Sequence, residues 1–317
     1  MLEDLIRKNN NKLDEEFIEH LVQLYNNYVT INLKSFDKKS IIYLDQYSNR
    51  FEAFEQLKKN LNCKHLKCVL TKDFIKYSKD KLSDLFMKNM KITSDSYEKK
   101  KWLSNLDIDL VMNQFEYIFV NFLYTGTVLI DFDHEKMLQV YKNFFLIDDS
   151  NKKIKCFHYQ KNFCSNKKYS INSIATVYNT ASSKESQGKH WITTFCQKVD
   201  KKNIFVYFFD SLGYSIPLEI IQFFDTLKKL FEKYDLSLCI FDNYNIKHQY
   251  SNSECGVYAI TFIKTLLENS SNLKKAYKLY FKNPEKKISD SEIEKNRKKY
   301  FKPQNKRLFH INSDIII

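Results

Sequence analysis

The sequence predicts an α+β protein with a central mixed sheet flanked by helices. Apolar residues recur at three- and four-residue spacing in several separate segments, which is helical patterning. Between them lie two β-branched and aromatic runs, His190–Cys196 and Ile204–Phe209, split by a polar stretch that reads as the turn of a hairpin. Helices and strands do not alternate in strict βαβ order, so a purely parallel doubly wound sheet is not expected.

Taken in order, residues 1–95 are charged and helix-prone, with helical spacing in residues 15–29 (EEFIEHLVQLYNNYV) and 82–90 (LSDLFMKNM). The polar segment 91–101 (KITSDSYEKKK) reads as a joint, giving a helical N-terminal region over 1–95 and a second domain over 96–317. That domain opens with an amphipathic helix, for which Ser104 or Asn105 is the cap and Asp107 and Asp109 supply the acidic first turn. The most apolar stretch, Tyr117 to Phe132, is broken by Asn121, Thr125, Gly126 and Thr127 and is too short to cross a bilayer. After the hairpin come a helix over 218–234, a short strand over Leu236–Phe241, a polar loop, and an apolar helix over Cys255–Leu267. Ser289 and Glu292 have the spacing of a capping box opening a last, basic helix to about Tyr300.

Composition narrows the function. A chain of 317 residues with 43% hydrophobic and 15% aromatic content can build a sizeable core and is not a disordered one. Neither GxGxxG nor GxxxxGK[ST] occurs, so no nucleotide-cradling loop is expected, and no cofactor. The seven cysteines are odd in number and scattered, and the first residues contain no apolar run of signal-peptide length; a reducing compartment with mostly free thiols is expected. Cys63, His65 and Cys68, and Cys156, His158 and Cys164, lack paired CxxC spacing, so no metal site is expected. The net charge of +13 comes almost wholly from lysine, with arginine only at 7, 50, 297 and 307. Such a surface suits weak, salt-sensitive attraction to nucleic acid rather than base reading; an AT-rich genome explains the same composition.

The chemistry is local. Cys255 starts a helix, where unpaired N–H groups favour the negative charge a thiol nucleophile must carry. A thiol nucleophile needs a base, and the base an orienting group. His190 opens the first strand of the hairpin and Asp210 follows the second, so pairing of the two strands brings both to one end of the sheet. Each of these residues alone has an ordinary structural explanation.

Together, His190-Trp191, Asp210-Ser-Leu-Gly213 and Gln249 six residues before Cys255-Gly256 resemble the adenain and SUMO-protease superfamily of cysteine peptidases. Asn179-Thr180 with Gly188–Trp191, and the run Asn245–Tyr258, resemble its polyprotein-processing members in large nucleocytoplasmic DNA viruses. The likeness extends over about residues 100–302. It implies a papain-like core of that type, with Cys255 as nucleophile, His190 as base and acid, Asp210 as the orienting group and Gln249 as oxyanion donor. It further implies that Trp102 and Trp191, the only two tryptophans, enclose a slot admitting Gly-Gly or a similarly small pair. The function so implied is processing of viral structural polyproteins during maturation, by an enzyme in the virion and, during assembly, in the host cytoplasm. Two alternatives stay open at this point: a deconjugase removing SUMO- or ubiquitin-like tags, and a basic DNA-binding core protein on a protease scaffold.

Overall fold

A computed structural model describes residues 15–31, 41–75 except 65, 71 and 73, 91–146 except 120, and 171–303. The expected helix over 82–90, and Cys156, His158 and Cys164, lie outside the described residues. The N-terminal part contributes helices α1 (Glu15–Ile31), α2 (Arg50–Asn60) and α3 (Leu66–Leu70). Then follow β1 (Ile92–Thr93), α4 (Asn105–Ile118), β2 (Phe122–Leu129), α5 (His134–Phe145) and β3 (Ser173–Asn179). The remainder is β4 (Trp191–Lys198), β5 (Asn203–Phe209), α6 (Leu218–Glu232), β6 (Ser237–Phe241), α7 (Cys255–Glu268), α8 (Leu273–Tyr280), α9 (Asp290–Tyr300) and β7 (Phe301–Lys302).

The expected α+β architecture with a central mixed sheet is observed. Five strands are ordered β2-β3-β4-β5-β6; β2 runs parallel to β3, β3, β4 and β5 are antiparallel in turn, and β6 is parallel to β5. Side-chain alternation divides the core between the two faces. On β4, Trp191 and Phe195 join the cluster that holds α4 and α7, whereas Ile192 and Cys196 join the one that holds α5 and α6. Phe17, Leu21 and Val22 of α1 belong to the first cluster, so the N-terminal helices share a core with α4 and α7.

The hairpin forms as expected, with a tighter turn. Pairing of Lys198 with Ile204 and Thr193 with Phe209 leaves few residues for the turn, because Asp200 Oδ1 accepts the backbone N–H groups of Lys202 (2.7 Å) and Asn203 (2.8 Å). The polar segment 91–101, read as the joint between the two regions, is packed against the second of them. Ile92 pairs with Phe301, and Asp107 accepts the hydroxyls of Ser94 (2.7 Å) and Ser96 (2.8 Å). Asp107 also completes a capping box with Ser104, which settles the cap of α4 on Ser104 rather than Asn105. These hydrogen bonds outweigh the burial of Asp107 and hold its carboxyl below the usual range. The expectation of free thiols needs one correction. Cys63 and Cys68 form a disulfide: the chain turns back after α2 through Asn62 at φ 52°, which brings their Cα atoms to 5.4 Å. Cys196, Cys239 and Cys255 are free.

Candidate active site

The sheet hands three residues to one end. His190 immediately precedes β4, Asp210 immediately follows β5, and Cys255 is the first residue of α7, which packs against β4 on the first core face. His190 Nε2 and Asp210 Oδ1 lie 2.8 Å apart. With Nε2 occupied, Nδ1 is the nitrogen left for the thiol. Burial works against a charged imidazole, but the hydrogen bond to Asp210, then that to Cys255 and the charges of both, win and hold the His190 pKa at about 9. An imidazolium stable at neutral pH beside a sulfur is the arrangement that favours a thiolate.

Asp210 is itself positioned by groups that sequence reasoning missed. Asn243, fully buried, donates from Nδ2 to the Asp210 carbonyl (2.7 Å) and the Ile246 carbonyl (3.0 Å), and accepts the Asp210 N–H at Oδ1 (2.9 Å). The carboxylate also accepts the Leu212 N–H at 2.7 Å. The turn that follows requires Gly213: its φ is +74°, and a Cβ there would stand 2.8 Å from the Ile246 carbonyl carbon.

Gln249 lies next to this turn. The Ser211 carbonyl accepts the N–H groups of His248 and Gln249, both at 2.8 Å. Ser211 Oγ donates to Gln249 Oε1 (2.7 Å), and Gln249 Nε2 donates to the Ser251 carbonyl (2.6 Å). The amide is therefore oriented at both ends, with one Nε2–H left over. That proton is a donor not used within the loop, and the first N–H groups of α7 are a second source of donors at Cys255.

The residue before Cys255 is the second omission. Glu254, the N-cap residue of α7, is buried, and Arg297 of α9 donates to its Oε2 from Nε (3.0 Å) and a terminal nitrogen (2.9 Å). The same guanidinium donates to the carbonyls of Ser96 (2.5 Å) and Lys101 (2.9 Å). It therefore ties the start of α7 to the strand of chain carrying Trp102. Neither Asn243 nor Arg297 has a local sequence signature, because each acts on a residue far away in the chain.

Trp102 and Trp191 meet in one groove of about 560 Å³, whose lining includes Thr127, Leu129, Asn179 and Gly188. Their roles there differ. Trp102 is 51% exposed and forms a wall, whereas Trp191 is 7% exposed and donates from Nε1 to the Leu103 carbonyl at 3.0 Å. Leu103 packs so closely on Gly256 that a Cβ there would lie 3.1 Å from its side chain. The groove thus borders the Cys255 end of α7. Its far side is held by Asn179, whose Oδ1 accepts the N–H groups of Ala181 and Lys189, both at 3.0 Å. Among the described residues no group of His, Cys, Asp and Glu could hold a metal ion, and no helix is long and apolar enough to cross a membrane.

Comparison with known proteins gives a consistent picture. Residues 185–310 match the model of the Ulp1 protease family, C-terminal catalytic domain. The chain is 27% identical over 232 residues to a SUMO-1 cysteine protease of African swine fever virus, covering 69% of this chain and 78% of that protein. It is also 27% identical over 168 residues to an Acanthamoeba polyphaga mimivirus protein assigned by name to the thiol proteases, 48% of whose length it spans. The crystal structure of the African swine fever virus protease has the same fold, with a TM-score of 0.50 at 22% identity over 84% of this chain and 91% of that one.

Proposed function

We propose that Cys255 is the nucleophile of a cysteine peptidase, with His190 its base and acid, Asp210 the orienting group and Gln249 the oxyanion donor, a reading supported by the match of residues 185–310 to the Ulp1 protease family. The observation that carries this reading is the 2.8 Å contact of His190 with Asp210 beside the thiol that opens α7. The Cys255 sulfur attacks the scissile carbonyl carbon, and the carbonyl oxygen takes the negative charge toward Gln249 Nε2. The His190 imidazolium then gives its proton to the leaving amine, and water, deprotonated by His190, releases the acyl group from sulfur.

The substrate is a protein chain with Gly-Gly or a similarly small pair before the cut, and the biological reading is maturation of viral structural polyproteins, in the virion and in the host cytoplasm during assembly. The similarity to proteins of two large DNA viruses supports the viral setting. The groove between exposed Trp102 and buried Trp191 supports the small pair, since an indole wall leaves room for a backbone without Cβ atoms. Replacing the second Gly of a peptide substrate by Leu should lower kcat/KM by about 100-fold or more. An unchanged kcat/KM sinks the small-pair reading. Loss of all cleavage in Cys255→Ala, at unchanged folding, tests the nucleophile.

A second reading, removal of SUMO-like tags, is favoured by the name of the African swine fever virus relative. It requires hydrolysis of a folded modifier fusion to be far faster than that of the short Gly-Gly peptide. Attraction of the lysine-rich surface to nucleic acid is a separate expectation, and retention on DNA that is equal at low and high salt would refute it.

A further inference from the structure

The loop from Gln249 to Cys255 is held from outside by α9. Asp290, the first residue of α9, accepts the backbone N–H groups of Tyr250 (3.0 Å) and Ser251 (2.8 Å) at Oδ2. Its Oδ1 accepts the Tyr258 hydroxyl at 3.0 Å. Burial, and then the charge of Asp290, push that hydroxyl far above its ordinary pKa, so it remains a donor. On the other side of the same residue, the Ser251 carbonyl accepts Gln249 Nε2–H at 2.6 Å. One carboxylate thus fixes the residue whose carbonyl aims the Gln249 amide.

The geometry of α9 makes this a rigid hold. Its start is closed by a reciprocal capping box between Ser289 and Glu292. Seven residues, about two turns, after Asp290, Arg297 on the same face grips Glu254. The helix therefore contacts the loop on the Gln249 side through Asp290 and on the Cys255 side through Arg297.

We propose that Asp290 is a positioning residue for Gln249. It fixes Ser251 so that this carbonyl takes one Nε2–H and leaves the other directed at the substrate oxygen. The proposal deepens the oxyanion reading of Gln249 and rests on it. A donor aimed beforehand stabilises the transition state without reorganising, so a loosened Gln249 should lower kcat and leave substrate binding alone.

The test compares kcat and KM on a fluorogenic Gly-Gly peptide for wild type, Asp290→Ala, Gln249→Ala and the double variant. Gln249→Ala should lower kcat by about 100- to 1,000-fold. Asp290→Ala should lower it by about 10-fold with KM within about twofold, and should add nothing in the Gln249→Ala background. Iodoacetamide alkylation of Cys255 needs no oxyanion donor, so its rate in Asp290→Ala should equal that of wild type; a general structural lesion would change it. A further loss from Asp290→Ala in the Gln249→Ala background overturns the proposal. So does an unchanged kcat in Asp290→Ala when Gln249→Ala is impaired. If Gln249→Ala itself retains full kcat, the oxyanion reading falls, and the proposal with it. Asp290→Ser, whose shorter side chain does not reach both N–H groups, carries the same comparison should the alanine variant fail to fold.

Discussion

Replacing Arg297 by Met removes every donor that Glu254 Oε2 has in the structure. Two charge-assisted bonds, at 3.0 and 2.9 Å, disappear, and so do the bonds to the Ser96 and Lys101 carbonyls. What remains near the Glu254 carboxylate is a long contact of Ser253 Oγ with Oε1, at 3.3 Å. Both partners are almost fully buried, with side-chain exposures of 1% for Arg297 and 3% for Glu254, so water cannot take over. Breaking one side of a buried pair costs about 3–5 kcal/mol, because the other charge is left without compensation. That is a large part of the roughly 5–15 kcal/mol that separates folded from unfolded domains. Urea unfolding of wild type, Arg297→Met, Glu254→Gln and the double variant measures it. The double variant should be more stable than Arg297→Met by about 2 kcal/mol, since neutral glutamine is far cheaper to bury than a lone carboxylate. A loss below about 1 kcal/mol in Arg297→Met would refute the reasoning, and so would a double variant as unstable as that single one.

Three other perturbations follow from the same geometry. The His190 imidazole is held at about 9 against an ordinary 6.5. A folded-state value above the unfolded one stabilises fully below pH 6.5 and is lost as pH rises through 9. The gap of 9 − 6.5 corresponds to about 3 kcal/mol, so over that window wild type should lose this much more stability than His190→Gln. Equal slopes would show that the imidazolium is not held. Asn243→Ala leaves the Asp210 N–H without its partner and the Asp210 carbonyl with the Gly213 N–H alone, and should destabilise by about 1–3 kcal/mol. It should also lower kcat with little change in KM; a shifted KM alone would point to the groove instead. Gly213→Ala places a Cβ 2.8 and 2.9 Å from the Ile246 carbonyl carbon and oxygen at a positive φ, which backbone cannot relieve by a rotamer change. Thermal unfolding should show a loss of about 1–3 kcal/mol, and a neutral substitution would mean the turn is not held against Ile246.

The site was legible where chemistry and secondary structure coincide. His190 and Asp210 bracket two strands whose patterning announces a hairpin, and Cys255 opens an apolar helix, so three residue types at three element ends could be placed without knowing the rest of the fold. Strands β2 and β3 were not legible. Ser173–Asn179 is buried along its whole length and shows no alternation, while β2 is interrupted by an irregularity between Tyr124 and Thr127 with Gly126 at φ 102°. Helix α5 does leave a signal that the sequence reading did not use, since Met137, Val140, Tyr141 and Phe145 recur at helical spacing after the Asp133 cap. Asn243, Asp290 and Arg297 were out of reach for a different reason. They sit in polar segments that look solvated, and only tertiary folding supplies what they hold: carbonyls for Asn243, two backbone N–H groups for Asp290 and a carboxylate for Arg297.

The strap that Arg297 makes to Ser96 spans 201 positions of the chain, and the Ile92–Phe301 strand pair closes the same loop. On a ribosome the Cys255 segment emerges well before α9, so for a time the nascent polypeptide holds a thiol, an imidazole and a carboxylate without the helix that braces the loop between Gln249 and Glu254. At about 5–20 residues per second, the 302 − 255 = 47 positions from Cys255 to residue 302 take about 2–9 s to translate. A chain still short of α9 lacks the Asp290 and Arg297 contacts, so the loop between Gln249 and Glu254 gains its brace only when the segment through residue 302 is in place.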